Sequence, residues 1–248
     1  MQLFGLIGFP LTHSFSKKYF TDKFKELGIS DKFEYDLFEI EKATEFPSLF
    51  EANPNLKGIN ITIPHKQSVF QYLDALDKSA EKVGAVNVVK KTDDGKFIGY
   101  NSDYYGFQRS LLEFLGTGYQ VENLKALILG YGGAARAVVA ALEDLGVAVQ
   151  LVSRKSSDKA IDYAESKNYL ESHKLIVNCS PLGTYPKTDQ CPDIDYNQLN
   201  SSHFLFDLVY NPAETLFLKK GKDNGAQIKN GYDMLVYQAE KSWEIWQK

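Results

Sequence analysis

Two cysteines in 248 residues, Cys179 and Cys191, are too few for a disulfide framework and fit a reducing compartment. Long apolar runs are missing too: no stretch approaches the roughly 20 residues that span a bilayer. The apolar start, residues 1–11, lacks a basic leader and a small-residue cleavage site, so it is read as a first strand and not as a signal peptide. Neither sign of charge dominates. With 28 Lys+Arg against 32 Asp+Glu the formal charge is −4, which offers no global attraction to nucleic acid or to an anionic membrane. No His/Cys/Asp spacing suggests a metal site, and no internal repeat or low-complexity tract is present. What remains, 44% hydrophobic and 24% charged residues, is the composition of an ordinary globular protein, long enough for one large domain or two small ones. The expected location is cytoplasmic.

Strand-like and helix-like patches alternate, which predicts a mostly parallel α/β fold. Residues 3–8 read as strand, 16–27 as a helix closed by Gly28, 33–40 as strand, 43–52 as helix and 56–63 as a strand stopped by Pro64. Residues 86–90 and 97–100 read as a hairpin with a tight turn at Asp94-Gly95. A cleaner rhythm follows a boundary placed near residue 103. Residues 126–129 are an unbroken apolar strand and 134–145 an Ala-rich helix, with further strands at 147–152, 175–178 and 204–209. The last helix, residues 233–246, carries one apolar stripe of Leu235, Val236, Ala239, Trp243 and Trp246, which needs a surface to cover it.

Between the buried strand and the Ala-rich helix lies Gly130-Tyr131-Gly132-Gly133-Ala134-Ala135, a G-x-G-x-x-A turn in strand–turn–helix context. Gly130 permits the tight turn, Gly132 lets backbone N–H groups approach a pyrophosphate, and Ala135 keeps the helix close to the sheet. The phosphate charge then meets the open N–H groups of the helix N-terminus. The plain alternative is a glycine turn that only packs helix on strand. An NAD site has an acid about 20 residues on, for the ribose 2′-hydroxyl. Here, 23 residues beyond Gly130, stands Ser153-Arg154-Lys155, whose cations suit a 2′-phosphate. NADP is therefore favoured over NAD.

Four segments ahead of this turn carry polar groups that periodicity does not explain: His13-Ser14-Phe15-Ser16, Asn60 to Lys66, Gly84-Ala85-Val86-Asn87 and Asn101-Ser102-Asp103. Taken singly, each has an ordinary explanation as a helix cap, a surface lysine or a turn asparagine. Taken in order they resemble the shikimate dehydrogenases, and the resemblance continues through Gly130–Arg136, Asn178-Cys179-Ser180-Pro181-Leu182-Gly183, Asp207-Leu208-Val209-Tyr210-Asn211-Pro212 and Asn230-Gly231-x-x-Met234-Leu235-x-x-Gln238.

The resemblance implies an N-terminal α/β substrate-binding domain (1–103), a Rossmann-type NADP-binding domain (104–232) and a C-terminal helix (233–248) that packs back on the first domain. It implies NADP-dependent reduction of 3-dehydroshikimate to shikimate, in chorismate and aromatic amino-acid biosynthesis. By position, Lys66 and Asp103 match the catalytic pair, and Ser14, Ser16, Thr62, Asn87, Tyr210 and Gln238 match substrate-binding positions. Gly130, Gly132, Gly133, Ala134, Ala135, Ser153, Arg154 and Lys155 match cofactor positions, with Leu208 and Gly231 flanking the nicotinamide. The residue types agree with that chemistry, because hydride arriving at a carbonyl carbon leaves charge on an oxygen that needs a proton or a donor. No metal is expected, and the partners are small molecules, with no nucleic acid and no membrane, on a monomer or homodimer. Departures fall at Lys17-Lys18, at Tyr131, at Ser153-Arg154-Lys155 where Asn-Arg-Thr is common, and at Thr184. Two rivals stand beside this reading: a quinate/shikimate dehydrogenase that also uses NAD, and a non-catalytic metabolite-binding regulator on the same scaffold.

Overall fold

The computed structural model describes residues 1–11 and 14–248; Thr12 and His13, the latter part of the predicted His-Ser-x-Ser segment, lie outside the described residues. The chain forms two compact units, Met1–Ser102 with Ala239–Lys248, and Asp103–Gln238. Both are α/β. None of the helices among the described residues is long and apolar enough to cross a membrane.

The first unit runs β1 (Gln2–Gly8), α1 (Phe15–Glu26), β2 (Phe33–Glu39), α2 (Phe46–Ala52), β3 (Leu56–Ile61), β4 (Ala75–Leu76), α3 (Lys78–Val83), β5 (Val88–Lys91) and β6 (Phe97–Tyr100). Its sheet has the order β2-β1-β3-β5-β6-β4. The apolar run of β1 has its cause in the packing. Leu3 and Ile7 face one core with Phe46, Phe50, Ile59 and Val89, while Phe4 and Leu6 face another with Phe20, Phe24, Tyr35 and Val88. A sheet covered on both faces needs apolar residues at both parities of the strand.

The second unit runs α4 (Ser102–Leu115), β7 (Lys125–Leu129), α5 (Gly133–Asp144), β8 (Ala148–Ser153), β9 (Ala160–Asp162), α6 (Tyr163–Ser166), β10 (Leu175–Asn178), β11 (Phe204–Asp207), α7 (Leu216–Asp223) and β12 (Gln227–Lys229). All five strand pairings are parallel, in the order β12-β11-β10-β7-β8-β9. Counted from β7 this is the doubly wound order 3-2-1-4-5-6, with its switch point between β7 and β10. The α/β class and the nucleotide-binding topology are as the alternation and the glycine turn predict.

The last helix, α8 (Tyr232–Gln247), takes part in both units: Met234 joins the core of the second, and Ala239, Ile245 and Trp246 join that of the first. Within the second unit a Cβ on Gly106 of α4 would stand 2.6 Å from the Met234 carbonyl oxygen and 2.9 Å from the Gln238 nitrogen. Only glycine lets α4 and α8 approach so closely.

Two local expectations need correction. The hairpin does not turn in two residues at Asp94-Gly95: the ladder pairs Lys91 with Phe97 and Thr92 N–H donates to Lys96 O at 2.9 Å, leaving a three-residue turn with Gly95 at φ +85°. The third strand also ends two residues early, at Ile61, so Thr62 and Ile63 belong to the loop that leads into Lys66.

Candidate active site

Each unit carries one cluster of the predicted residues. In the first, the sheet topology gathers them. β1, β2 and β3 are parallel, β5 is antiparallel to β3, and β6 is antiparallel to β5. The C-terminal ends of β1, β3 and β6 and the N-terminal end of β5 therefore share one edge. The segments leaving or entering there are those with unexplained polar residues: Ser14 to Ser16, Thr62 to Lys66, Asn87, and Asn101-Ser102 leading to Asp103 in the first turn of α4.

Lys66 is half-buried and its backbone is held from two sides. His65, almost fully buried, has Nε2 at 2.7 Å from the Ile40 carbonyl oxygen, and Val86 N–H donates to Lys66 O at 2.8 Å. Thr62 N–H donates to Ile7 O at 2.9 Å, which ties the loop to β1. Ser14 acts as a helix cap, its hydroxyl accepting from Lys17 N–H at 3.3 Å. Ser16 stands at the same edge, and burial pushes the hydroxyl of Tyr35 far above the usual phenol range. Asn101 and Asn87 are buried. Asn101 donates to Ala85 O at 2.8 Å, and Asn87 Oδ1 accepts from Ser102 N–H at 2.6 Å.

In the second unit the switch point carries a pocket of about 610 Å³ lined by the glycine turn (Gly130, Tyr131, Gly132), by Ser153 and Arg154 from the end of β8, by Tyr163, and by Cys179 to Leu182 after β10. Gly130 has φ +95° and a Cβ there would press on Ser180 at 3.3 Å, so this turn needs glycine. A Cβ on Gly132 or Gly133 would meet nothing within 4 Å, so the space in front of α5 is open. The N-terminus of α5 starts at Gly132 without a side-chain cap, which leaves its N–H groups for a ligand. Behind them Ala135 is fully buried against the sheet.

Among the described residues Arg154 is the charged member of this lining, and no carboxylate belongs to it. The residues thus fit a dinucleotide whose phosphates lie on the α5 N-terminus, with a cation and no acid at the end of β8. Lys155 is exposed and stands outside the lining, its carbonyl accepting the Ser153 hydroxyl. Ala134 starts the helix beside Gly133. Leu208 and Gly231 meet backbone to backbone, since a Cβ on Gly231 would collide with the Leu208 carbonyl. Tyr210 is exposed, and the Gln238 amide donates to Leu235 O of its own helix at 2.9 Å.

The loop after β10 is organised by a buried carboxylate, Asp207, to which the sequence by itself gives no role. Asp207 accepts from Asn178 Nδ2 at 2.9 Å, Val209 N–H at 3.0 Å and the Thr215 hydroxyl at 2.5 Å. Asn178 Oδ1 in turn accepts the Ser180 N–H at 3.0 Å and hydroxyl at 2.6 Å. Burial pushes the Asp207 carboxyl up to about 6, against the pull of its hydrogen bonds from Thr215, Val209 and Asn178. In the unfolded chain it titrates near 4. A raised folded pKa favours the neutral form, so its stabilising effect is full below about pH 4 and is lost as pH rises through 6. Asp207→Asn, neutral throughout, should therefore gain on the wild type by on the order of 3 kcal/mol between pH 4 and pH 7, above any constant offset. Urea unfolding of both proteins across that range reads the difference; a flat difference removes Asp207 as the titrating group.

Tyr35 and Ser242 belong to the buried polar cluster of the first unit as well, together with Asn60, which opens the Asn60 to Lys66 segment. Ser242 had a legible signal, for it falls three residues after Ala239 and four before Trp246, on the buried face of α8.

Comparison with known proteins bears on these clusters. The profile of the shikimate dehydrogenase substrate binding domain matches residues 6–89. A shikimate dehydrogenase (NADP(+)) of Clostridium beijerinckii is 41% identical, the match covering 100% of this chain and 93% of that protein. The crystal structure of a chorismate mutase/shikimate 5-dehydrogenase fusion protein from Clostridium acetobutylicum is 38% identical, with a TM-score of 0.87 over 99% of this chain and 91% of that one. The shikimate 5-dehydrogenase of Thermus thermophilus, solved in complex with NADP(H) and shikimate, is 28% identical, with a TM-score of 0.84 over 99% of this chain and 93% of that one.

Proposed function

We infer the reaction from one premise: the chain belongs to the shikimate dehydrogenase family. It is an NADP-dependent oxidoreductase that interconverts 3-dehydroshikimate and shikimate, a step toward chorismate and the aromatic amino acids. The observation that carries the assignment of residues is the common sheet edge, where four chain segments converge with the polar side chains of Ser14 and Ser16, Thr62 and Lys66, Asn87, and Asn101 and Ser102.

NADP, when bound, supplies or accepts the hydride. The phosphates would lie against Gly130, Gly132, Gly133 and the N-terminus of α5, through Ala134 and Ala135, and the adenosine end against Ser153, Arg154 and Lys155. Leu208 and Gly231 would border the nicotinamide. Lys66 handles the proton: in reduction its ammonium group donates to the oxygen that gains charge, and in oxidation the amine takes the proton from the hydroxyl. Asp103 is the carboxylate assigned to work with it. Ser14 and Ser16 are assigned to the substrate carboxylate side, with Thr62, Asn87, Tyr210 and Gln238 on the hydroxyls. Since Ser14 also caps α1, its hydroxyl keeps one lone pair on Lys17 N–H and offers its hydrogen outward.

The proposed location is the cytoplasm, where Cys179 and Cys191 remain thiols; both are free cysteines. Quinate oxidation with NAD is the second reading. The lack of a carboxylate in the lining at the end of β8 speaks against it, because a 2′-hydroxyl would lose its usual acceptor. Initial rates with shikimate and quinate, each with NADP and NAD, test the choice. Shikimate with NADP should exceed the other combinations in kcat/KM by roughly tenfold or more. Equal rates with quinate and NAD would overturn the reading.

A further inference from the structure

We propose that Ser242, far along the last helix, is a positioning residue for substrate: its hydroxyl closes a buried ring of hydrogen bonds that fixes the amide of Asn87. The proposal rests on the reading above, in which Asn87 and Ser16 face shikimate.

The ring follows from donor and acceptor counts. Tyr35, Asn60, Asn87, Ser102 and Ser242 are all at most 5% exposed, so each polar atom needs a protein partner. The Tyr35 hydroxyl donates to Asn60 Oδ1 at 2.8 Å. Asn60 Nδ2 donates to Ser242 Oγ at 2.9 Å and to the Asn87 carbonyl oxygen at 3.3 Å. Both amide hydrogens of Asn60 are thereby used inside the protein. Asn60 has no N–H to offer a ligand, although it stands at the head of the loop that carries Thr62 and Lys66.

The other side of the ring runs through the start of α4. Asn87 Oδ1 accepts Ser102 N–H at 2.6 Å, Asn87 Nδ2 donates to Ser102 Oγ at 3.0 Å, and Ser102 Oγ lies 3.2 Å from Ser242 Oγ. Asn60, Ser242, Ser102 and Asn87 thus form a closed circuit, into which the Tyr35 hydroxyl donates at Asn60. Turning over Asn87 would set its N–H against Ser102 N–H, and turning over Asn60 would set its oxygen against the Asn87 carbonyl oxygen, so the circuit admits one orientation of each. One amide hydrogen of Asn87 goes to Ser102, and planarity then fixes the direction of the other. Ser242 is the member that comes from outside the sheet edge. It reaches Asn60 across 182 positions in sequence, so the seating of α8 sets the aim of a side chain at the other end of the chain.

Alanine at 242 removes an acceptor from Asn60 Nδ2 and a partner from Ser102 Oγ, which opens the circuit and loosens the hold on Asn87. Ser242→Ala should raise the KM for shikimate about tenfold, while kcat stays within about twofold and the KM for NADP is unchanged. Ser242→Thr, which keeps the hydroxyl, should restore most of the loss. Tyr35→Phe, which removes one hydroxyl at constant ring volume, should raise the same KM about threefold, and the double variant should fall short of the product of the two. The full chain is assayed in each case, with melting temperature as the fold control.

A shikimate KM within twofold of wild type in folded Ser242→Ala overturns the proposal. So does a parallel rise in both KM values, which marks general loosening, or a well-folded Ser242→Thr that fails to rescue. If Ser242→Ala does not fold, Tyr35→Phe decides by the same criteria. A wild-type protein inert toward shikimate refutes the reaction, whereas an active wild type with unmoved variants refutes the positioning role.

Discussion

Lys66→Met should lower kcat for shikimate oxidation by about 10²- to 10⁴-fold, the range that positioned proton transfer contributes, with little change in KM. Methionine keeps the unbranched stem and its packing but has no group that can give or take a proton. The side chain is half-buried, and the backbone around it is held by His65 on Ile40 O and by Val86 on Lys66 O, neither of which involves the ammonium group. The melting temperature of the variant is the fold control, so that a loss of kcat in the folded protein is one of chemistry. Steady-state rates with shikimate and NADP across pH 6 to 10 provide the check. A kcat that stays near normal while KM climbs would make Lys66 a binding residue only, and another group at this edge would have to move the proton.

Trp246→Ala should destabilise the protein by about 3–5 kcal/mol, the usual cost of emptying a large aromatic site in a core. Trp246 is 6% exposed and stacks on Phe4 with ring centroids 4.7 Å apart, and Phe20 lies at 5.6 Å. Its indole N–H donates to Val89 O at 3.0 Å. Gly58 of β3 exists to admit this ring, since a Cβ there would collide with the indole. Alanine leaves a cavity walled by aromatic rings that cannot collapse onto it, and removes one partner of a buried carbonyl. Because Trp246 anchors the end of α8 that also carries Ser242, the shikimate KM should rise along with the loss of stability. Urea unfolding followed by far-UV circular dichroism measures the effect. A loss below about 1 kcal/mol would mean that α8 is held by its other contacts and that the indole only fills space.

How much of this is legible in the sequence depends on the range of the physics. The long helices and strands appear within a residue or two of the expected limits, because their cores repeat at the helix or strand period over a whole element. The short pieces, β4, β9, β12, α6 and α7, leave no such pattern in the sequence. Such segments are too brief to show a period and form against neighbours already in place. For α3 the signals were local and readable: Asp77 accepts from Ser79 N–H as N-cap, and Gly84 closes the helix at φ +64°. At the hairpin the Asp-Gly signal marks the turn, while its length is decided by Thr92 and Lys96, which extend the ladder by one pair.

For the site the division is sharper. Gly130 follows from the sequence, since a turn into a helix beside a buried strand requires a positive φ there and only glycine supplies it at no steric cost. The cations at Arg154 and Lys155, the missing acid, and the residue types of the catalytic segments are likewise properties of the chain as written. Which of those residues still have a hydrogen to offer is not. Asn60 and Asn87 are the same residue type in similar polar segments, yet one has both amide hydrogens taken by the protein and the other does not. That difference arises when β3, β5, the head of α4 and the far end of α8 are brought together. Hydrogen-bond satisfaction in a buried site is a sum over partners distant in sequence, and no local pattern contains it.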